Sequence, residues 1–159
     1  MPSNRAHIDR AVAHLRRADP RLRPLIAQFG APPGKSRLSA YETLTRAIVF
    51  QQLNGKAAKT IYDRFRALYA PGPYPKPETV RRTPERKATY IIDLAAKFAD
   101  GTIRPRQFAK MTDAEISECL TVVKGVGQWT ADMFLMFQLQ RPDVLPVGDY
   151  GVRKGMQLH

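Results

Sequence analysis

The sequence predicts an all-α protein, and three observations lead to that class. Apolar residues recur with a period of about 3.6 along almost the whole chain, as on one face of a helix. No run of strict alternation between apolar and polar residues, typical of a strand, stands out. Capping motifs, prolines and glycines interrupt this pattern where helices begin and end. At 159 residues and 43% apolar composition, the chain can bury a core as one domain or as two small lobes sharing a cleft.

The first half of the chain contains four predicted helices with recognisable ends. The first covers about residues 4–18. The Asp19-Pro20 pair is typical of an N-cap followed by proline at the first helical position, and Gly30 ends the short helix that follows. Residues 39–42 (Ser-Ala-Tyr-Glu) form a capping box that opens an apolar helix to about residue 51. A break at residues 53–55 separates this helix from the next.

The second half of the chain contains four more predicted helices. A proline-rich connector, residues 71–77, precedes them. We expect it to be stiff, because each proline removes a hydrogen-bond donor and fixes φ. The first of these helices ends at Gly101. Residues 112–115 (Thr-Asp-Ala-Glu) form a second capping box. The starts of the four helices are predicted near Thr83, Thr112, Gly127 and Asp149.

The charge and cysteine content exclude several classes of protein. The 26 Lys and Arg against 14 Asp and Glu give a net charge of +12, which predicts a polyanionic partner, nucleic acid first. With Cys119 as the single cysteine, a disulfide framework, a Cys-rich zinc site and a four-cysteine iron–sulfur cluster are excluded in this stretch. No apolar run approaches the ~20 residues of a membrane span, and no secretory signal is recognisable. We therefore expect a basic globular protein of a reducing compartment, not attached to a membrane.

The most informative motif is a Gly-Val-Gly turn, residues 125–127, between two apolar helices. Glycine permits positive φ and close approach of another backbone. The second glycine starts a helix, where free N–H groups and the helix dipole favour an anion, and a DNA phosphate suits a protein of this charge. An ordinary helical hairpin that needs glycine for a tight turn explains the motif equally well.

Three segments together resemble the HhH-GPD superfamily of DNA glycosylases, in its 3-methyladenine DNA glycosylase II branch. They are residues 48–58 (IVFQQLNGKAA), 122–132 (VVKGVGQWTAD) and 143–153 (DVLPVGDYGVR). The resemblance implies two helical lobes with a helix-hairpin-helix motif. It assigns residues 1–37 to the N-terminal helices of an outer lobe and 38–140 to a second lobe with the hairpin at about 112–140. Residues 141–159 begin the helix of the catalytic aspartate, which returns to the outer lobe.

The resemblance also implies roles for three residues. Asp149 matches the catalytic aspartate, whose carboxylate stabilises positive charge on the sugar or orients the attacking water; a plain helix N-cap is the alternative. Trp129 occupies the position of the Schiff-base lysine of bifunctional relatives, which implies a monofunctional enzyme. Its indole suits a cationic alkylated purine, although a core tryptophan is the alternative. Tyr150 is expected to line the base pocket, with core packing as its alternative.

A base must leave the helical stack before it is excised, and an apolar wedge can fill the gap. The resemblance implies that Leu53 is this wedge, unless it packs inward, with Gln52 and Asn54 contacting the minor groove or the orphan base. The N–H groups of Gly125, Gly127 and Thr130 are expected to face phosphate, with Lys124 and Lys154 beside them. Relatives bind a monovalent cation (Na or K) through main-chain carbonyls, here those of Thr121, Val123 and Val126. No other cofactor is expected.

The expected function is hydrolysis of the N-glycosidic bond of alkylated purines in duplex DNA, as part of base excision repair. The expected location is the bacterial cytoplasm with its nucleoid, or the nucleus in a eukaryote. Two alternatives stay open: a non-catalytic helix-hairpin-helix module that binds DNA, and an inactive remnant that pairs with a second copy. The resemblance implies further helices after residue 159, only ten residues beyond Asp149, and a longer segment where residues 78–84 stand. Iron–sulfur cysteines of some relatives lie in that later part.

Overall fold

The computed structural model describes residues 4–32, 34, 36–51, 54–81 and 89–158. Within these ranges the chain forms nine α-helices and no strand, so the all-α prediction is confirmed. A 3₁₀ helix, Pro105–Lys110, precedes α7, and a π-helical segment, Phe134–Leu139, continues α8. The helices are α1 Asn4–Ala18, α2 Leu22–Phe29, α3 Ala40–Phe50, α4 Gly55–Ala67, α5 Pro77–Arg81, α6 Thr89–Ala99, α7 Asp113–Thr121, α8 Gln128–Met133 and α9 Tyr150–Leu158.

The helix ends follow the capping chemistry with two corrections. Helix α7 has the complete capping box predicted at residues 112–115. At α3 only half of the box forms: the Ser39 hydroxyl accepts from the Glu42 N–H, but the Glu42 carboxylate accepts from the Tyr62 hydroxyl at 3.1 Å. Helix α2 begins two residues later than predicted, because the Asp19 carboxylate holds the N–H of Arg21 in a turn.

Two expectations about the middle of the chain fall wholly or partly outside the described residues. The predicted helix start at Thr83 lies outside the described residues, and α6 is described from Thr89. Of the segment expected to be short, residues 78–84, only residues 78–81 are described, and they belong to the five-residue helix α5.

The core lies between α3, α4, α5, α6, α7 and α8. Side chains without solvent exposure include Leu44, Leu94, Ile116, Leu120 and Ala131. Of the residues that the structure describes, none in α1, α2 or α9 is buried. The division into segments 1–37, 38–140 and 141–159 stays a prediction. No helix in the described part of the chain is long and apolar enough to cross a membrane.

A buried glutamine joins the start of α3 to the π-helical segment. Gln138 is 6% exposed; its amide nitrogen donates to the Leu38 carbonyl at 2.9 Å, and its amide oxygen accepts from the Thr43 hydroxyl at 2.8 Å. These bonds span 95 and 100 residues of sequence, so they close the core across the chain. A buried amide is tolerated here because both of its ends have partners.

We expect Gln138→Met to lower the free energy of unfolding by about 1–3 kcal/mol, because a thioether of similar shape leaves the Leu38 carbonyl and Thr43 hydroxyl unpaired. Urea unfolding should show a lower midpoint with an unchanged slope. The matched control is Gln107→Met at an exposed position, which should leave the midpoint in place. Equal midpoints for the two variants would contradict this account.

Candidate active site

The site forms where α8 and α9 begin. Trp129 is the second residue of α8, and Asp149 immediately precedes α9. Although 20 residues separate them in sequence, the indole Nε1 of Trp129 donates to the Asp149 carboxylate at 2.6 Å. The structure thus brings together the two side chains expected to carry the chemistry.

Asp149 also caps α9. One carboxylate oxygen accepts from the Val152 N–H at 2.8 Å, three residues on, while the other oxygen accepts from Trp129. The N-cap interpretation and the active-site interpretation are therefore compatible, because each uses a different oxygen. The hydrogen bond from the Val152 N–H, followed by that from the Trp129 indole, lowers the pKa of Asp149 below its usual value. The group is a carboxylate at neutral pH.

Trp129 is not a core tryptophan. The residue is 49% exposed. Its indole N–H is bonded to Asp149, while part of the ring is open to solvent. Tyr150 is 76% exposed, and its ring faces the Lys154 ammonium at 5.9 Å. No aromatic pair between Tyr150 and Trp129 occurs among the described rings. The core-packing alternative for Tyr150 is excluded by this exposure.

The loop that leads to Asp149 is anchored by an arginine that sequence reasoning missed. Arg141 donates through its guanidinium to the carbonyls of Phe108 and Met111, at 2.7 and 2.9 Å. It also forms an ion pair with Asp113 at 3.2 Å. The preceding residue, Gln140, ends the π-helical segment in the left-handed region with φ 54°. These contacts bind the loop to the 3₁₀ helix and α7, which no local pattern in the sequence indicated.

The hairpin turn requires its first glycine for two reasons. Gly125 has φ +83°, a conformation that side chains disfavour, and a Cβ there would lie 2.7 Å from the Tyr90 ring. Gly127, by contrast, has extended backbone and open space around it. The first backbone bond of α8 joins the Ala131 N–H to the Gly127 carbonyl, so the N–H groups before Ala131 lie at the free end of the helix.

Two further residues that the sequence reasoning did not assign hold the turn. The Asp93 carboxylate accepts from the Lys124 N–H at 2.8 Å, and the Gln51 amide donates to the Gly125 carbonyl at 2.6 Å. Burial alone would raise the pKa of Asp93, but hydrogen bonds from Lys97 and the Lys124 N–H lower it. The carboxylate is thus kept ionised beside the turn.

The remaining predicted residues are placed as follows. Thr130 is buried, and its hydroxyl accepts from Gln51 at 3.3 Å. Asn54 caps α4, its side-chain oxygen accepting from the Ala57 N–H at 2.9 Å. Gln52 and Leu53 lie outside the described residues. Thr121 ends α7, and the Val123 carbonyl accepts from the Val126 N–H at 3.0 Å, so the three residues with the expected cation-binding carbonyls bracket one turn.

Comparisons with known proteins agree on one family. Residues 45–159 match the HhH-GPD superfamily base excision DNA repair protein family. The chain is 33% identical over 146 residues to DNA-3-methyladenine glycosylase 1 of Schizosaccharomyces pombe, covering 85% of this chain and 64% of that protein. It is 32% identical over 130 residues to the DNA-3-methyladenine glycosylase of Saccharomyces cerevisiae, covering 70% and 44%. The chain thus spans less than two thirds of the length of these relatives.

Solved structures agree with the sequence relatives. A 3-methyladenine DNA glycosylase of Schizosaccharomyces pombe in complex with abasic DNA superposes with a TM-score of 0.77 at 33% identity, covering 93% of this chain and 79% of that one. A DNA-3-methyladenine glycosidase of Bacillus halodurans gives a TM-score of 0.75, also at 33% identity, covering 90% and 70%. On this evidence, the chain belongs to the HhH-GPD superfamily of base excision DNA repair proteins.

Proposed function

We propose that this chain is a monofunctional DNA glycosylase that hydrolyses the N-glycosidic bond of alkylated purines, of the 3-methyladenine and 7-methylguanine type, in duplex DNA. The observation that carries the proposal is the 2.6 Å hydrogen bond between the Trp129 indole and the Asp149 carboxylate at a partly exposed surface. The names of the relatives, DNA-3-methyladenine glycosylases, support the same reaction.

Asp149 acts on the developing positive charge. As the bond from sugar to base breaks, the sugar acquires oxocarbenium character, and a nearby carboxylate stabilises it. The two hydrogen bonds that lower the pKa of Asp149 also make it a weaker base. Electrostatic stabilisation is therefore its main contribution, and orientation of the attacking water is secondary.

Trp129 selects the base. An alkylated purine carries positive charge, and an indole face attracts a cation by roughly 0.5–2 kcal/mol. The same charge makes the base a good leaving group, so a single carboxylate is sufficient to catalyse cleavage of the N-glycosidic bond. No lysine stands at this position, which leaves the site without the amine that a bifunctional lyase needs.

The hairpin holds the duplex. The N–H groups of Gly125, Gly127 and Thr130 bind phosphate at the start of α8, with Lys124 and Lys154 contacting the backbone. Leu53 serves as the wedge, and Gln52 and Asn54 contact the minor groove or orphan base. Since the Asn54 oxygen caps α4, its amide N–H₂ is the group that contacts DNA. Tyr150 lines the base pocket from the start of α9.

A monovalent cation at the carbonyls of Thr121, Val123 and Val126 would stabilise the hairpin. These uncharged oxygen donors lie around the turn that is closed by the hydrogen bond from the Val126 N–H to the Val123 carbonyl. Such donors suit Na or K better than a transition metal. When bound, the ion would add positive charge near the phosphate site. The protein acts at the bacterial nucleoid, or in the nucleus if its source is eukaryotic.

We expect Asp149→Asn to lower the rate of base release about 10²–10³-fold, because an amide retains an oxygen to cap α9 but carries no charge to stabilise the sugar. The assay measures 3-methyladenine and 7-methylguanine released from methylated duplex DNA. Asp143→Asn, in the same loop, is the matched control and should retain the wild-type rate. Borohydride should trap no covalent adduct.

The outcome of that assay distinguishes the glycosylase from the two alternative functions. Base release by the wild-type protein that is lost in Asp149→Asn would support the glycosylase. DNA binding without release in the wild-type protein would favour the non-catalytic DNA-binding module. Weak binding accompanied by concentration-dependent dimerisation would favour the inactive remnant.

We expect Trp129→Phe to raise the pKa of Asp149 and to slow release about tenfold, because the variant loses the indole N–H donor but keeps an aromatic ring. The pKa of the wild-type carboxyl lies below the ordinary value of about 3.9, so the rate should stay level from about pH 8 to pH 5. Because folding depresses this pKa, the cap stabilises the fold above the ordinary pKa and is lost as the pH falls through the folded one. Carboxyl ¹³C NMR titration of both proteins measures the shift, and identical titrations would contradict the role of Trp129.

We expect a steep salt dependence of DNA affinity that Lys124→Ala reduces by about one in the slope of log K against log[salt]. Fluorescence anisotropy with an abasic-analogue duplex at several salt concentrations measures this slope. Arg10→Ala, on α1, removes the same charge at a position with no proposed DNA contact and should keep the slope. A wild-type slope near zero would remove phosphate contacts from the proposal.

A further inference from the structure

We propose that Asp93 is a positioning residue for the hairpin turn: its carboxylate fixes the backbone at Lys124, so that the Gly125 N–H has a set direction before DNA binds. The inference rests on the proposed function, because the phosphate contact at this turn belongs to that proposal. Helix α6 carries Tyr90, Asp93 and Lys97 at spacings of three and four residues, which place them on one side of the helix.

The Asp93 carboxylate divides its two oxygens between two donors. One oxygen accepts from the Lys97 ammonium at 2.7 Å, and the other accepts from the Lys124 N–H at 2.8 Å, across 31 residues of sequence. Both side chains of the ion pair are shielded from water, with 19% of Asp93 and 21% of Lys97 exposed. The ammonium therefore offsets the negative charge that a phosphate would meet, while the second oxygen is used for the backbone.

The backbone is held on both sides of the Gly125 N–H. The peptide before it is the one anchored through the Lys124 N–H. The peptide after it has its carbonyl, that of Gly125, bonded to the Gln51 amide at 2.6 Å. A 3.0 Å bond from the Val126 N–H to the Val123 carbonyl joins these two outer peptides to each other. The central peptide, which carries the Gly125 N–H, thus lies between two restrained neighbours.

Tyr90 restricts the turn further. Its ring packs so closely on Gly125 that a Cβ there would lie 2.7 Å from it. Without the bond to Asp93, the peptide of Lys124 would be free to rotate, and binding of phosphate would have to bear the entropy of ordering it. Preorganisation of this kind raises affinity without adding a contact to the ligand. Asp93 therefore favours DNA binding although its own charge has the wrong sign for a phosphate contact.

The experiment compares Asp93→Ala and Asp93→Asn with the same two changes at Asp63. Alanine removes the acceptor of the Lys124 N–H, whereas asparagine keeps one oxygen for it and removes the charge. Asp63 is the matched control, because it forms an ion pair with Lys59 at the same spacing and at 2.6 Å, with its side chain 55% exposed.

Three measurements are made on each variant at a temperature where all of them are folded. Fluorescence anisotropy at several salt concentrations gives the affinity for an undamaged duplex and for a duplex with a tetrahydrofuran abasic site. Single-turnover release from methylated DNA gives the rate at saturating protein and the half-saturating concentration. Thermal unfolding gives Tm.

Charge and positioning predict opposite signs for Asp93→Ala. Loss of an acidic residue by itself makes the protein more positive and tightens DNA binding. Loss of the backbone bond weakens it. We expect Asp93→Ala to weaken binding of both duplexes about tenfold at each salt concentration, with the rate at saturation within about twofold of wild type. Asp93→Asn and both Asp63 variants should bind within about twofold of wild type.

Several results would overturn the positioning role. They are unchanged or tighter binding by Asp93→Ala, equal losses of affinity in Asp93→Ala and Asp93→Asn, and a lower Tm with unchanged affinity. If the wild-type protein releases no base but Asp93→Ala alone still weakens DNA binding, the proposed function fails and the positioning role stands. If base is released normally and Asp93→Ala binds as the wild type does, the positioning role fails and the proposed function stands.

Discussion

The hydrogen bond between the Trp129 indole and the Asp149 carboxylate is the interaction on which the site depends. It exists only because two helix N-termini, of α8 and α9, are held close together. The hairpin turn sets the first, and the loop from Arg141 sets the second through its bonds to the carbonyls of Phe108 and Met111. A small error in either anchor would separate the carboxylate from the indole, and misplacement by about 1 Å can cost about a hundredfold in rate.

Capping gives Asp149 its orientation as well as its charge. In the proposed reaction, a carboxylate free to rotate would lose entropy on meeting the sugar, but the Val152 N–H fixes one oxygen and the Trp129 indole fixes the other. The same two donors keep the group ionised. The structural role and the proposed chemical role therefore coincide in one side chain, and the helix end that needs a cap supplies the preorganisation that the proposed reaction needs.

The charges beside the turn are compatible with the proposed phosphate contact. A carboxylate beside a phosphate site would be unfavourable, yet Asp93 stands next to the turn. Lys97 pairs with it at 2.7 Å, so the net charge near the turn stays favourable while the Lys124 N–H keeps its acceptor. In a chain of net charge +12, this one acidic residue both pairs with Lys97 and orients the backbone of the turn.

The sequence by itself determined most of the helices and the need for glycine in the hairpin turn, because periodicity and capping are read over short stretches. That Trp129 and Asp149 belong to one site was implied by the resemblance to the HhH-GPD superfamily and not by any local pattern. Local reading failed at Glu42, whose carboxylate bonds to Tyr62 instead of closing its own capping box. Only the tertiary structure decided that Asp149 caps α9 and also accepts from the Trp129 indole. It also decided that Gln51, 74 residues away in sequence, donates to the Gly125 carbonyl in the turn. Such bonds join segments distant in sequence, so no local pattern encodes them; they exist because core packing brings the helix ends together.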